Sequence, residues 1–87
     1  MRLYRIYTEK KNLNQIKTLL GKWFDAYTII ESEGAWKGDH ESSIIIETIF
    51  NGEVNRKRVY AIAEEIKRLN KQDAVLITEQ EIEVKLV

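Results

Sequence analysis

The densest concentration of reactive side chains in this sequence is Trp36-Lys37-Gly38-Asp39-His40-Glu41. It holds the only histidine, set between two carboxylates, with an indole and an ammonium group beside it. An imidazole next to a carboxylate can ligate a metal or move a proton near neutral pH, because it titrates in that range. Such chemistry needs donors that converge, whereas three consecutive residues in or beside a turn diverge, and no second histidine completes a set. The segment therefore reads first as a solvated turn, and no metal is expected. Trp36 reads as a subunit contact, since tryptophan is enriched at the energetic centres of interfaces.

Three other clusters carry groups that could do chemistry. Arg56-Lys57-Arg58 is the one basic run, and near a helix N-terminus it could hold an anion. Trp36, Lys37, His40, Glu41, Arg56 and Arg58 thus form the candidate ligand-binding set. Glu31, Glu33 and Glu47 could lie together across a hairpin and share a proton, but a salt-bridged strand surface is the simpler reading. Ser32, Ser42 and Ser43 have only His40 as a base, and no G-x-S-x-G elbow appears, so no catalytic residue is assigned. Phosphate loops and dinucleotide fingerprints are absent, and no cofactor is expected.

These residues sit within a recognisable pattern of elements. Met1–Thr8 reads as a strand, with aromatic and β-branched residues on both parities. Asn12 with Gln15 reads as a capping box opening a helix, along which Leu13, Ile16, Leu19, Leu20 and Trp23 form one apolar stripe. Gly21 within it suggests fraying or close packing on a sheet. Residues 26–33 and 42–50 read as two strands of a hairpin, with a turn at Gly38-Asp39 and a bulge at Gly34. Asn51-Gly52 breaks the pattern before a second helix, capped by Asn51 or Asn55. Its stripe is Val59, Ile62, Ala63, Ile66 and Leu69, and Asn70 is the expected left-handed stop. Ala74–Thr78 reads as a fourth strand, and Ile82, Val84 and Leu86 alternate with Glu83 and Lys85 as an extra edge strand or an arm that pairs with a neighbour.

The order strand, helix, strand, strand, helix, strand is the α+β, ferredoxin-like βαββαβ plan: a four-stranded antiparallel sheet with both helices on one face. Residues 1–87 are read as a single domain of this kind. Helices on one face leave the other open, yet apolar residues occur on both parities of three strands. Exposing several isoleucines is unfavourable at roughly 25 cal/mol per Å², so a partner on the open face is the economical reading. Tyr7, Ile45, Ile49, Trp36, Ile82, Val84 and Leu86 are its expected interface residues.

Bulk properties narrow the function classes. Fourteen basic residues balance fourteen acidic ones, which gives no basic excess for a nucleic-acid backbone. Tyr4 and Tyr7 sit where RNA-recognition domains stack bases, but Ser42–Phe50 lacks the aromatic pattern such domains carry on their third strand. No apolar run reaches the roughly 18 residues of a membrane helix. Cysteine is absent, which removes disulfides and thiolate chemistry and agrees with a cytoplasmic location.

Trp36-Lys37-Gly38, followed by Glu41, Ile45, Ile46 and Thr48, resembles the hairpin of the CutA-type divalent-cation tolerance family, although Glu47 stands where that family has a lysine. Together with the strand order, this resemblance extends to the PII-like nitrogen-regulatory proteins. Both groups are ferredoxin-like trimers with ligand or ion sites in clefts between subunits. The resemblance implies a non-enzymatic, self-associating regulatory domain, a trimer in preference to a dimer, taking a small-molecule or anionic ligand near residues 31–41. The competing readings are a small enzyme of the dimeric ferredoxin-like barrel type using His40 or Glu41, and an adaptor that accepts a partner's strand.

Overall fold

The computed structural model describes residues 1–87. Its elements are β1 (Arg2–Glu9), α1 (Leu13–Trp23), β2 (Thr28–Trp36), β3 (Asp39–Phe50), α2 (Glu53–Asn70) and β4 (Leu76–Glu81). All four strands pair antiparallel in the order β2-β3-β1-β4. This is the expected ferredoxin-like arrangement. No helix is long and apolar enough to cross a membrane.

The two helices bury one apolar core against one face of the sheet. Tyr4 and Ile6 of β1, Ile44 and Ile46 of β3, Ile16 and Leu20 of α1, and Val59, Ile62, Ala63 and Ile66 of α2 form it. Phe24 closes one end, its ring tilted 45° to that of Phe50 with the centroids 5.1 Å apart. Alternation along a strand sends successive side chains to opposite faces, so Ile45 between Ile44 and Ile46 points away from this core.

Several local expectations are corrected. Asn12 does precede α1, but in the left-handed conformation and with no side-chain cap. Its amide instead donates to Asn70 Oδ1 at 3.0 Å, so the capping box with Gln15 does not form. Gly21 has open space where a Cβ would stand, which excludes close packing as its reason. Trp23 is 49% exposed and leaves the helix stripe. On α2, Gly52 occupies the N-cap position in place of either asparagine. Leu69 gives its place in the stripe to Asn70, and Lys71, not Asn70, takes the left-handed conformation.

Asn70 has a tertiary task that local rules cannot show. Its buried amide donates to Thr8 Oγ1 at 3.2 Å and to Gln72 Oε1 at 3.1 Å, while its oxygen accepts from Asn12. Thr8 Oγ1 donates in turn to Gln72 Oε1. The network ties the end of α2 to the end of β1 and the start of α1, and it satisfies each buried polar group in it.

Hairpin β2–β3 is longer than expected and carries no bulge, because Gly34 stays in register opposite Glu41. A Cβ on Gly34 would meet Ser43 Oγ at 3.2 Å, so a tight cross-strand contact is the reason for this glycine. The turn is Lys37-Gly38, with φ of 51° and 85°. Positive φ at both central residues is the two-residue primed turn whose twist matches antiparallel strands. The fourth strand begins and ends later than read, at Leu76 and Glu81, and residues 82–87 form no further strand. Only the Ile82 N–H continues the ladder, donating to the Met1 carbonyl at 3.0 Å.

Candidate functional site

The face of the sheet away from the helices carries the most conspicuous unpartnered surface. Cross-strand partners share a face. The pairs Leu76–Tyr7, Tyr7–Ile45 and Ile45–Ile30 therefore draw one apolar row across all four strands. Leu3 opposite Ile49 adds a second apolar pair on the same face. Between them runs a polar row in which Arg5 Nε donates to Glu47 Oε2 at 2.7 Å. Leu76 is 58% exposed, and Ile30 and Ile49 about two-fifths exposed. Apolar pairs on either side of one satisfied ion pair make a surface suited to burial, since Arg5 and Glu47 already satisfy each other.

Toward the hairpin tip the same face becomes polar. The hydroxyls of Ser32 and Ser43 lie 3.0 Å apart. Beyond them stand the carboxyls of Glu9 and Glu41. Partial burial and then the neighbouring Glu9 carboxyl push the Glu41 carboxyl above its ordinary value, with Lys11 opposing. Lys11 Nζ is itself 3.0 Å from Glu9 Oε2. This Glu9–Glu41 pair was not among the sequence candidates. Its signal lies in the β1–β3 register, which sets Glu9 opposite Ser43, two residues from Glu41.

The tip itself is exposed. Trp36 is half-exposed, with Lys37 Nζ 5.9 Å from its ring centroid. Trp36 and Glu41 belong to the open face, whereas His40 lies on the opposite face with Ala35. Consecutive strand residues diverge, so His40 and Glu41 of one copy do not act on one atom. Glu31 pairs with Lys10 at 2.6 Å, which holds its carboxyl below the ordinary range. Glu47 is on the other face, bound to Arg5, so the three hairpin glutamates do not converge. No cluster of three or more histidine and carboxylate side chains is arranged to hold a metal ion.

Arg56 and Arg58 lie far from the tip. The tip is at the Asp39 end of β3 and α2 starts just past its Phe50 end, in a molecule 38 Å long. Arg56 Nε donates to both Glu79 oxygens at 3.2 Å, and Tyr60 Oη donates to Glu79 Oε2 at 3.1 Å. Desolvation pushes the Glu79 carboxyl up, but the bonds from Arg56 and Tyr60, with the charges of Arg56 and Arg2, outweigh it and hold the group below its ordinary value. Arg2 bridges to Glu81 at 2.7 Å beside them. A cavity of about 280 Å³ opens here, lined by Arg2, Tyr4, Glu53, Arg56, Glu79 and Glu81. Its two guanidinium groups face three carboxylates, so within one copy it is not an anion site. Arg58 lies over the Trp23 ring at 5.4 Å, at the edge of an apolar groove between the helices. One copy thus divides the six candidate ligand residues between two ends of the sheet.

No protein-family model matches this sequence, and neither does any curated protein. Solved structures do match. The chain is similar to a phage SAM lyase in its apo state, with a TM-score of 0.74 and 18% identity over 91% of this chain and 78% of that one. It is similar to CPII, a nitrogen regulatory PII-like protein from Thiomonas intermedia K12 bound to ADP, AMP and bicarbonate, with a TM-score of 0.69 and 16% identity. That match covers 99% of this chain and 93% of the other. A DUF3240 family protein from Shewanella baltica OS155 matches at a TM-score of 0.70 and 9% identity, with the same coverage. One of these folds belongs to an enzyme and another to a nucleotide-bound regulatory protein, so fold alone does not select a chemistry. The chain has a ferredoxin-like fold, shared with the PII-like protein CPII, 93% of which it spans.

Proposed function

We propose that this chain is a non-enzymatic, PII-like regulatory domain that self-associates through the open face of its sheet, as a trimer in preference to a dimer. It senses a small anionic ligand in the clefts between subunits. The observation that carries this reading is the apolar row Leu76–Tyr7–Ile45–Ile30, complete across the sheet and covered by nothing in a single copy. A small domain has little core to spare, and burying such a row is the direct way to add to it.

A cleft between copies also supplies what one copy lacks. Trp36 and Lys37 at the hairpin tip of one protomer, set against Arg56 and Arg58 at the α2 end of the next, would offer an aromatic face and cations, with Glu41 on the same face as Trp36 and His40 on the other. An anion bearing an aromatic ring suits that combination. CPII was found with ADP, AMP and bicarbonate, which makes these the first probes.

Thermal unfolding with each probe tests the ligand. A ligand at a hundred times its Kd stabilises the folded state by about 2.7 kcal/mol, so a rise in Tm is expected with at least one of the three. Lys37→Ala and Arg56→Ala should each diminish it. Light scattering on the same samples should report a particle larger than one chain. A folded monomer whose Tm no probe moves would overturn the reading.

A further inference from the structure

The two helices leave a groove between them that no sheet residue lines. Its floor is Leu19 and Trp23 from the second half of α1, with Val54, Ala61 and Ile62 from α2. On α2, positions 54, 58, 61 and 65 recur at three- and four-residue spacing, so they form a second stripe beside the one that packs into the core. Ala61 opens the groove, because it sets a methyl group between longer side chains. Val54 is 72% exposed and Trp23 half-exposed, so large apolar side chains meet water here while the core beneath them is sealed.

Size and charge together define what fits. The groove encloses about 550 Å³, within the roughly 300–1,000 Å³ of small-molecule sites. From Val54 to Glu65 it follows α2 for about 16 Å, at about 1.5 Å per residue. A helix roughly 10 Å across would occupy over twice the groove's volume along that length, so the groove holds a slender chain whole and a docked helix only in part. Lys57 and Arg58 stand on its rim, and neither joins any ion pair of the chain. The Arg58 guanidinium lies 5.4 Å from the centroid of the Trp23 ring, a contact that keeps it at the groove without using its N–H donors. Glu65, the one carboxylate of the lining, is already paired with Arg68.

An apolar floor with uncompensated positive charge at one end is complementary to a molecule with an apolar tail and a single anionic head. We infer that this groove binds a linear aliphatic monocarboxylate. Arg58 and Lys57 hold the carboxylate, which an arginine can grip through two parallel N–H bonds. The hydrocarbon chain lies along Leu19, Ala61 and Ile62 toward Glu65. A single copy builds this site whole, on the side of the sheet opposite the apolar row Leu76–Tyr7–Ile45–Ile30, so it goes beyond the assembly and cleft proposed above. Arg58 is common to that cleft and this groove, whereas Lys57 and Ala61 belong to the groove alone.

Titration calorimetry of the native chain with decanoate, below its micelle-forming concentration, should show one site per chain. Each methylene added between octanoate and decanoate should tighten binding about two- to fourfold. Decyltrimethylammonium, which carries the same tail on a cationic head, should bind about tenfold more weakly or less. Ala61→Phe fills the groove from an exposed helix position, so it should abolish decanoate binding while thermal unfolding stays close to that of the native chain. Lys57→Glu, also exposed, should weaken decanoate about tenfold and leave decanol unaffected. A native chain that takes up no decanoate would overturn the inference. Binding that survives Ala61→Phe would do the same, since the tail would then lie on the open face of the sheet. Equal affinity for the anionic and cationic heads, or for decanoate with and without Lys57, would remove the carboxylate from the site. Lys57-dependent attachment to phosphatidylglycerol vesicles without binding of free decanoate would assign the groove to a lipid surface and overturn it as well. Light scattering reads the assembly separately from all of these outcomes.

Discussion

Strand β3 presents Ile44, Ile46 and Thr48 to the helices and Ile45, Glu47 and Ile49 to the other side. The two sets are nearly alike in composition. Ile44 and Ile46 are completely buried among helix side chains, and Thr48 is satisfied by donating to the Ala26 carbonyl at 3.1 Å. Ile45 lies in an apolar row that only strand neighbours touch, and Glu47 depends on Arg5. The helix-side set is therefore answered within one copy, and the open-face set is answered only if something covers it. Substitutions on the first should cost folding, and those on the second should cost assembly.

The largest effect is expected at Ile46→Ala, which should lower unfolding free energy by about 2–5 kcal/mol in a urea titration, the usual cost of emptying a sealed core site. Ile45→Lys, one residue away, should leave that titration nearly unchanged at low concentration. It should weaken association by tenfold or more, because a buried isoleucine contributes roughly 1.5–3 kcal/mol. Equal loss of fold in both variants would erase the distinction between the faces. Asn70→Ala should cost about 1–3 kcal/mol, since it leaves Thr8 and Asn12 short of a partner; hydrogen exchange should rise at the β1–α1 junction. Gly38→Ala should cost about 1 kcal/mol without altering assembly, as alanine is strained at a φ of 85°.

The smallest effect concerns pH. The Glu41 carboxyl is raised in the folded state by partial burial and Glu9, so its neutral form is favoured there. Its contribution is complete below the ordinary carboxylate range and is lost as pH rises through the raised value. Glu41→Gln should remove that decline and leave acid stability unchanged, as thermal melts across the acidic range will show. Glu79 runs the other way. Its carboxyl is lowered, desolvation being outweighed by Arg56, Tyr60 and Arg2, so its contribution is present at neutral pH and lost as pH falls through the lowered value.

The element order was legible because β-branched arms and three-to-four-residue stripes are strong signals that act within a few residues. Failures came where a distant partner overrode a local rule. Asn12 matches a capping box, yet its amide is committed to Asn70 across the fold, and the same contact turned an expected stop signal into a buried strut. The turn moved by one residue because a two-residue loop needs positive φ at both positions, which Lys37 supplies at some strain and the sequence does not advertise. Composition located the six candidate ligand residues, but not their separation to opposite ends of the sheet. That follows from strand register, which no single stretch encodes. The Glu9–Glu41 pair was hidden for the same reason.

Sedimentation velocity at micromolar concentration, run on the native chain beside Ile45→Lys, tests the central claim most directly. The native chain should sediment as a trimer, and the variant as a folded monomer with the same helix and strand content. A native chain that sediments as a monomer, or a variant that assembles equally well, would contradict it.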